Sequence, residues 1–227
     1  ENLSLVPGTV GAAPVQNVGA YGVELSSSFV SLRAYDLEKD SFVTFSKEEC
    51  SFGYRESIFK HSQRRYCITS VTLLLKKETA PVLSYKPLDT LLGKGDLSSK
   101  MVRELVISTR QAKLPDWREN PNCGSFFKNP VVLKEKADEL RVQFPEIPLM
   151  PHMDDYKIPA AWLIEHVAKM KGVRVGDVGT WPNQPLVIVN YGDAPVDELN
   201  DFVQKIQSVI MERVGISLEQ EVNCVRG

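Results

Sequence analysis

Apolar and polar positions alternate through SSSFVSLRAYDL at 26–37, and Glu38-Lys39-Asp40 separates that run from SFVTFS at 41–46. Successive side chains of a strand face opposite sides, so this pattern predicts a β-hairpin turning at the charged triplet. YCITSVTLLLKK at 66–77 predicts a further strand, apolar enough to be largely buried. A connecting stretch follows at 82–95. Asp96 or Ser98 can then cap a helix over 97–109, with Met101, Val102, Leu105 and Val106 at the spacing of one helical face. The next stretch, 110–130, holds Pro115, Pro121 and Pro130 and cannot be one continuous helix. Helices are predicted at 132–142 and 160–171, and a short buried strand at 186–191. The clearest helix is 197–214, where Leu199, Phe202, Val203, Ile206, Val209, Ile210 and Val214 share a face. ISLEQEV at 216–222 predicts a last strand. Strands therefore come first and a mixture of helices and strands later, the order of an α+β protein with two lobes joined near 85–100. The expected domains are 1–95, rich in β-structure, and 96–227, mixed α/β.

Composition narrows the function. Of the 227 residues, 43% are hydrophobic and 25% charged, enough apolar material for a real core. A formal net charge of -2 offers no bulk attraction to nucleic acid or an anionic membrane, so an anionic ligand must be held by locally placed cations and backbone N–H groups. No apolar run approaches the ~20 residues of a membrane span, and no secretory signal opens the chain. Cys50, Cys67, Cys123 and Cys224 form no CxxC pair, and His61, His152 and His166 do not cluster with them. Reduced thiols in a cytoplasmic protein, with no metal site, are expected. The chain begins at Glu1 and enters a glycine-rich segment at once, so the natural protein is expected to continue upstream.

Four segments carry polar or glycine-rich chemistry. VPGTVGAAPVQNVGAYG can turn backbone N–H groups toward a phosphate, or can be a turn between strands; it has neither the GK[ST] of a P-loop nor a GxGxxG fingerprint. Arg55, among Phe52, Tyr54, Ile58 and Phe59, can be a structural cation–π residue or a clamp for a carboxylate. Ser125 in NCGSFFKNP has no neighbouring histidine and no GxSxG elbow, so it is no nucleophile; it is either a turn serine or a proton donor. Glu219 and Glu221 of LEQEV share one face if the segment is a strand, as a solvated edge or as a working acid.

VPGTVGAAPVQNVGAYGVEL, FGYRESIFK, AKLPDW, GSFFKNP and LEQEV follow one another in the order of the UDP-N-acetylenolpyruvoylglucosamine reductases, and the chain resembles that family over nearly its whole length. The resemblance implies a three-domain enzyme: two domains bind FAD in the vanillyl-alcohol-oxidase (PCMH-like) manner, and a third closes over the UDP-sugar. This chain would be the remainder of the FAD-binding lobe, β-rich, plus the C-terminal substrate domain. The implied reaction uses NADPH to reduce FAD, then passes a hydride to UDP-N-acetylglucosamine enolpyruvate, giving UDP-N-acetylmuramate for cell-wall peptidoglycan. By the same resemblance Arg55 stabilises the enolate-like intermediate, Glu221 assists it in protonated form, and Ser125 protonates the carbanion. Gly11, Ala12, Gln16, Gly19 and Tyr21 fall in the flavin-contacting loop. Tyr54, Tyr85, Lys113 and Asn129 match substrate-holding positions, Tyr85 as a lid tyrosine. A monomer is expected. Departures are Ala12 and Ala13 where relatives carry serines, Gln220 where proline is commoner, and Ala161 where glycine is common. Two alternatives stay open: a UDP-sugar-binding fragment that neither retains FAD nor turns over, and another flavoenzyme of the same superfamily.

Overall fold

The structure, a computed structural model, describes residues 1–62, 65–77, 80–93, 95 and 97–224. The chain divides into two compact units, Glu1–Arg110 and Gln111–Gly227.

The first unit is built on a three-stranded antiparallel sheet. A short hairpin, β1 (Gly19–Ala20) and β2 (Val23–Glu24), precedes β3 (Phe29–Asp36), β4 (Ser41–Ser46) and β5 (Tyr66–Leu73). The sheet order is β4-β3-β5, with Asp36 opposite Ser41, so the expected hairpin and its charged turn are present. Because β3 is central, it supplies the buried side chains Phe29, Leu32 and Ala34. The expectation that 66–77 is largely buried is corrected: β5 is an edge strand with no fully buried residue, and Leu74 and Leu75 beyond it are 65% and 75% exposed. Arg65 forks onto Asp36, Nε at 2.7 Å and Nη2 at 2.6 Å, pulling that buried carboxyl from 3.8 down to about 2. A four-residue helix, α1 (Ile58–His61), is capped by Ser57, whose Oγ accepts from Phe59 N–H.

The stretch 82–95 is more than a connector. A 3-10 turn at Leu88–Leu91 buries Leu88 and Leu91 with Leu83 against Val102 and Val106 of α2 (Ser99–Lys113). This small core places 85–100 inside the first unit, and the division falls in the last turn of α2 rather than near residue 95. Ser98 is a cap, accepting from Met101 N–H at 3.3 Å; Asp96 lies outside the described residues. Met101, expected on the buried face, is 38% exposed.

The second unit has a four-stranded antiparallel sheet in the order β10-β11-β12-β6 and a three-stranded one in the order β7-β9-β8. Its elements are β6 (Asn122–Ser125), β7 (Val131–Val132), α3 (Lys134–Gln143), β8 (Met150–His152), β9 (Asp155–Lys157), α4 (Ala160–Trp162), β10 (Arg174–Val175), β11 (Val178–Trp181), β12 (Gln184–Asn190) and α5 (Val196–Val214). The predicted helix at 132–142 begins two residues later because 131–132 pair with β9. The predicted helix at 160–171 is shorter and widens into a π turn at Leu163–Val167. Helix α5 matches its expected span and buries Phe202, Val203, Ile206, Ile210 and Val214. Asp197 and Glu198 in its first turn favour the helix dipole, and Gly215, at φ 65°, ends it by donating to Met211 O at 2.8 Å. These elements share one core that includes Phe126, Phe127, Leu140, Ile158 and Leu163. The predicted last strand at 216–222 is reduced to a bridge between Phe127 and Gln220. The described residues contain no helix long and apolar enough to cross a membrane.

Candidate functional site

In the first unit the glycine-rich loop and the Arg55 turn form one assembly. Gly53 and Glu56 exchange backbone hydrogen bonds at 3.0 and 3.2 Å, leaving Tyr54 and Arg55 at the tip of a tight turn. Arg55 takes φ 56°, a conformation rare outside glycine, asparagine and aspartate. Its Nη2 donates to Gly19 O at 2.7 Å, and its guanidinium carbon lies 5.1 Å from the Tyr54 ring centroid. Gly19 has no room for a side chain: a Cβ there would stand 2.9 Å from Glu24 Cγ and 3.0 Å from Arg55 Nη1.

Two buried polar residues lock the turn to the loop. Asn17, 1% exposed and at φ 46°, donates through Nδ2 to Gly53 O at 3.0 Å and to Glu24 Oε2 at 2.8 Å, while its Oδ1 accepts from Ser26 N–H at 2.9 Å. Ser57 donates to Val15 O at 2.6 Å. Of the expected flavin-loop residues, Ala12 is exposed and Gly11, Gln16, Gly19 and Tyr21 are partly buried. Tyr21 is held by Asn2, which donates to the Tyr21 and Val82 carbonyls. Burial raises the Tyr21 hydroxyl pKa against the opposing pull of the Arg110 charge. Tyr85 is 41% exposed and stands beside the Gly22 turn, its carbonyl accepting from Leu88 N–H at 2.7 Å. No carboxylate occurs between Asn2 and Val23, and the Glu24 carboxylate that follows is taken up by the Asn17 amide; the N–H groups of Ala12, Ala13, Val15, Asn17 and Val18 bond carbonyls within the loop.

In the second unit Ser125 is the last residue of β6, exposed and opposite Val187 of β12. It is thus a strand-end serine rather than a turn serine. The strand is irregular just before it, where Gly124 takes φ 75°, Asn122 Oδ1 accepts from Gly124 N–H, and the register with β12 shifts. The following residue, Phe126, accepts from Glu221 N–H at 2.8 Å, and Lys128 N–H donates to Glu219 O at 2.9 Å. Ser125 and partly buried Glu221 are therefore brought to neighbouring backbone segments. The two acids of LEQEV separate in role: exposed Glu219 forms an ion pair with Lys128, whose own side chain is 11% exposed. Asn129 Oδ1 accepts from Ala160 N–H at 2.9 Å and so starts α4. Lys113, exposed, ends α2, beside Ala112, whose carbonyl accepts from Asn183.

The C-terminal domain of UDP-N-acetylenolpyruvoylglucosamine reductase matches residues 116–225. The reductase of that name from Idiomarina loihiensis is 44% identical over 99% of this chain, which covers 67% of that protein. The chain belongs to the UDP-N-acetylenolpyruvoylglucosamine reductase family. Another member, from Amoebophilus asiaticus, is 46% identical over 100% of the chain and 68% of its own length. The crystal structure of UDP-N-acetylenolpyruvylglucosamine reductase (MurB) from Thermus caldophilus shares the fold, with TM-score 0.62 and 23% identity over 98% of this chain. This chain spans 62% of that reductase, and about two thirds of the curated family members.

Asn17, Ser57 and Arg110 carry no motif of their own in the sequence. A signal existed for two of them: asparagine before a glycine-rich turn suits the left-handed region, and serine before IFKH suits a helix cap. Nothing in the sequence marked Arg110 as a partner of Tyr21.

Proposed function

We propose that this chain carries the reacting side chains of an NADPH-dependent, FAD-mediated reductase that converts UDP-N-acetylglucosamine enolpyruvate to UDP-N-acetylmuramate for peptidoglycan. Family membership over essentially the whole chain is the observation that supports this reading most directly. The loop from Gly11 to Tyr21, which carries no charged side chain, would hold FAD, which when bound supplies the hydride. Arg55 would face the substrate carboxylate, a planar cation matched to a two-oxygen anion, and would offset the charge that builds there as the enolate forms. Glu221, in protonated form, would donate a further hydrogen bond to those oxygens. Ser125 Oγ–H would deliver the proton to the adjacent carbon, a base strong enough to take it from an alcohol. Lys113 would meet the diphosphate as a point charge, and Tyr54, Tyr85 and Asn129 would hold the rest of the UDP-sugar. The reading includes a cytoplasmic monomer.

The decisive experiment is Ser125→Ala in the flavin-loaded enzyme. Product formation is expected to slow by about 100-fold or more, while flavin reduction by NADPH stays near the parent rate. Loss of flavin reduction itself would overturn the proton-donor role. The share of its relatives that this chain spans, about two thirds, supports a second reading: a UDP-sugar-binding piece without FAD. A yellow preparation with a flavin absorbance band sinks that second reading; colourless protein that binds the UDP-sugar favours it.

A further inference from the structure

The tethers between the glycine-rich loop and the Arg55 turn follow a pattern. Val15 O accepts from Ser57 Oγ, the Asn17 side chain donates to Gly53 O, and Gly19 O accepts from Arg55 Nη2. Alternate residues of the loop thus grip the base of the turn on both sides and the guanidinium at its tip. Among them Asn17 alone uses a side-chain amide. Both amide N–H bonds and the amide oxygen are engaged, on Gly53, Glu24 and Ser26. Its left-handed backbone is one that asparagine tolerates better than most residues. Aspartate in the same place would lose both donors and confront the Glu24 carboxylate. The chemistry of the position therefore asks for asparagine, although nothing in it requires contact with a ligand.

We propose that Asn17 is a positioning residue: by clamping Gly53, the residue that opens the Tyr54–Arg55 turn, it fixes the direction in which the Arg55 guanidinium points. The inference rests on the carboxylate-binding role given to Arg55 above, and it adds that the loop expected to hold the flavin also aims that arginine.

Asn17→Gly removes every amide bond while keeping the left-handed backbone accessible, and Asn17→Asp repeats the test in a side chain of the same size that keeps the acceptor for Ser26 N–H. Arginine side-chain NMR on the chain itself is expected to report rotation of the Arg55 guanidinium about tenfold faster in both variants, the effect of losing roughly one hydrogen bond's restraint. Unchanged rotation in both would overturn the proposal. In the flavin-loaded enzyme, Asn17→Gly alone is expected to lower kcat with the enolpyruvyl substrate roughly 10- to 100-fold. Added to Arg55→Ala, it is expected to cause no further loss, because both changes act through one guanidinium. Additive losses, as a merely structural asparagine gives, would overturn the proposal. If the parent enzyme does not reduce the enolpyruvyl substrate at all, the functional reading falls, and the NMR comparison still decides whether Asn17 aims Arg55.

Discussion

In Gln111–Gly227, Ser125 and Glu221 ride on backbone hydrogen bonds laid over an apolar core, whereas in Glu1–Arg110 the arginine turn is held to its loop by single buried polar side chains. Phe126 and Phe127, buried between Ser125 and the bridge to Gln220, tie the first arrangement directly to the core. Asn17 and Ser57, each 1% exposed, serve the second from outside any strand or α-helix. Backbone ladders over a core resist change collectively, because many contacts must fail together. Side-chain tethers fail one at a time, and each failure moves one group.

The contrast can be broken by mutation. Phe127→Ala should destabilise the second unit by about 3–5 kcal/mol, through lost transfer energy and the cavity left behind, read as a lower denaturant midpoint in tryptophan fluorescence. That probe is specific, because Trp117, Trp162 and Trp181 all lie in the second unit. Ser57→Ala should cost only about 1–2 kcal/mol, one helix cap and one hydrogen bond to Val15, read by urea unfolding followed through tyrosine near-ultraviolet circular dichroism. A cost for Ser57→Ala as large as that for Phe127→Ala would erase the distinction.

A third expected effect is acid sensitivity of the first unit. The Arg65 fork holds the Asp36 carboxyl below its ordinary value, so the folded state binds that proton less readily than the unfolded chain. The stability this contributes is complete above about 3.8 and is lost as the pH falls through about 2. Unfolding of the first unit, followed between pH 4 and 2 in parent and Asp36→Asn proteins, should show this slope only in the parent.

The same contrast governed what the sequence revealed. Helix α5 was legible because burying one face dictates a period, and the β3–β4 hairpin because alternation ends at a charged turn. The edge position of β5 was not, since an apolar run reads alike in the middle and at the margin of a sheet. The short strands β8 to β11 escaped notice because two to four residues carry no period. Their hairpins turn where Met153 and Gly176 take positive φ, a need that Met153 does not advertise. Around the site, Arg55, Ser125 and Glu221 were found through family motifs. Asn17 was missed because a buried side chain that bonds distant carbonyls leaves no pattern in the residues beside it.

The π turn at Leu163–Val167 carries a consequence for the order of folding. Widening the helix by one residue lets Ala168 N–H reach back to Leu163 O and Met170 N–H to Ile164 O, and the Val167 carbonyl is completed by Arg213 of α5, Nη1 at 2.5 Å. One helix end is thus finished by the far end of another, across a sequence separation of 46 residues. The Val167 carbonyl gains this partner only once α5 has docked, so this end of the helix is expected to be completed no earlier than the docking of α5.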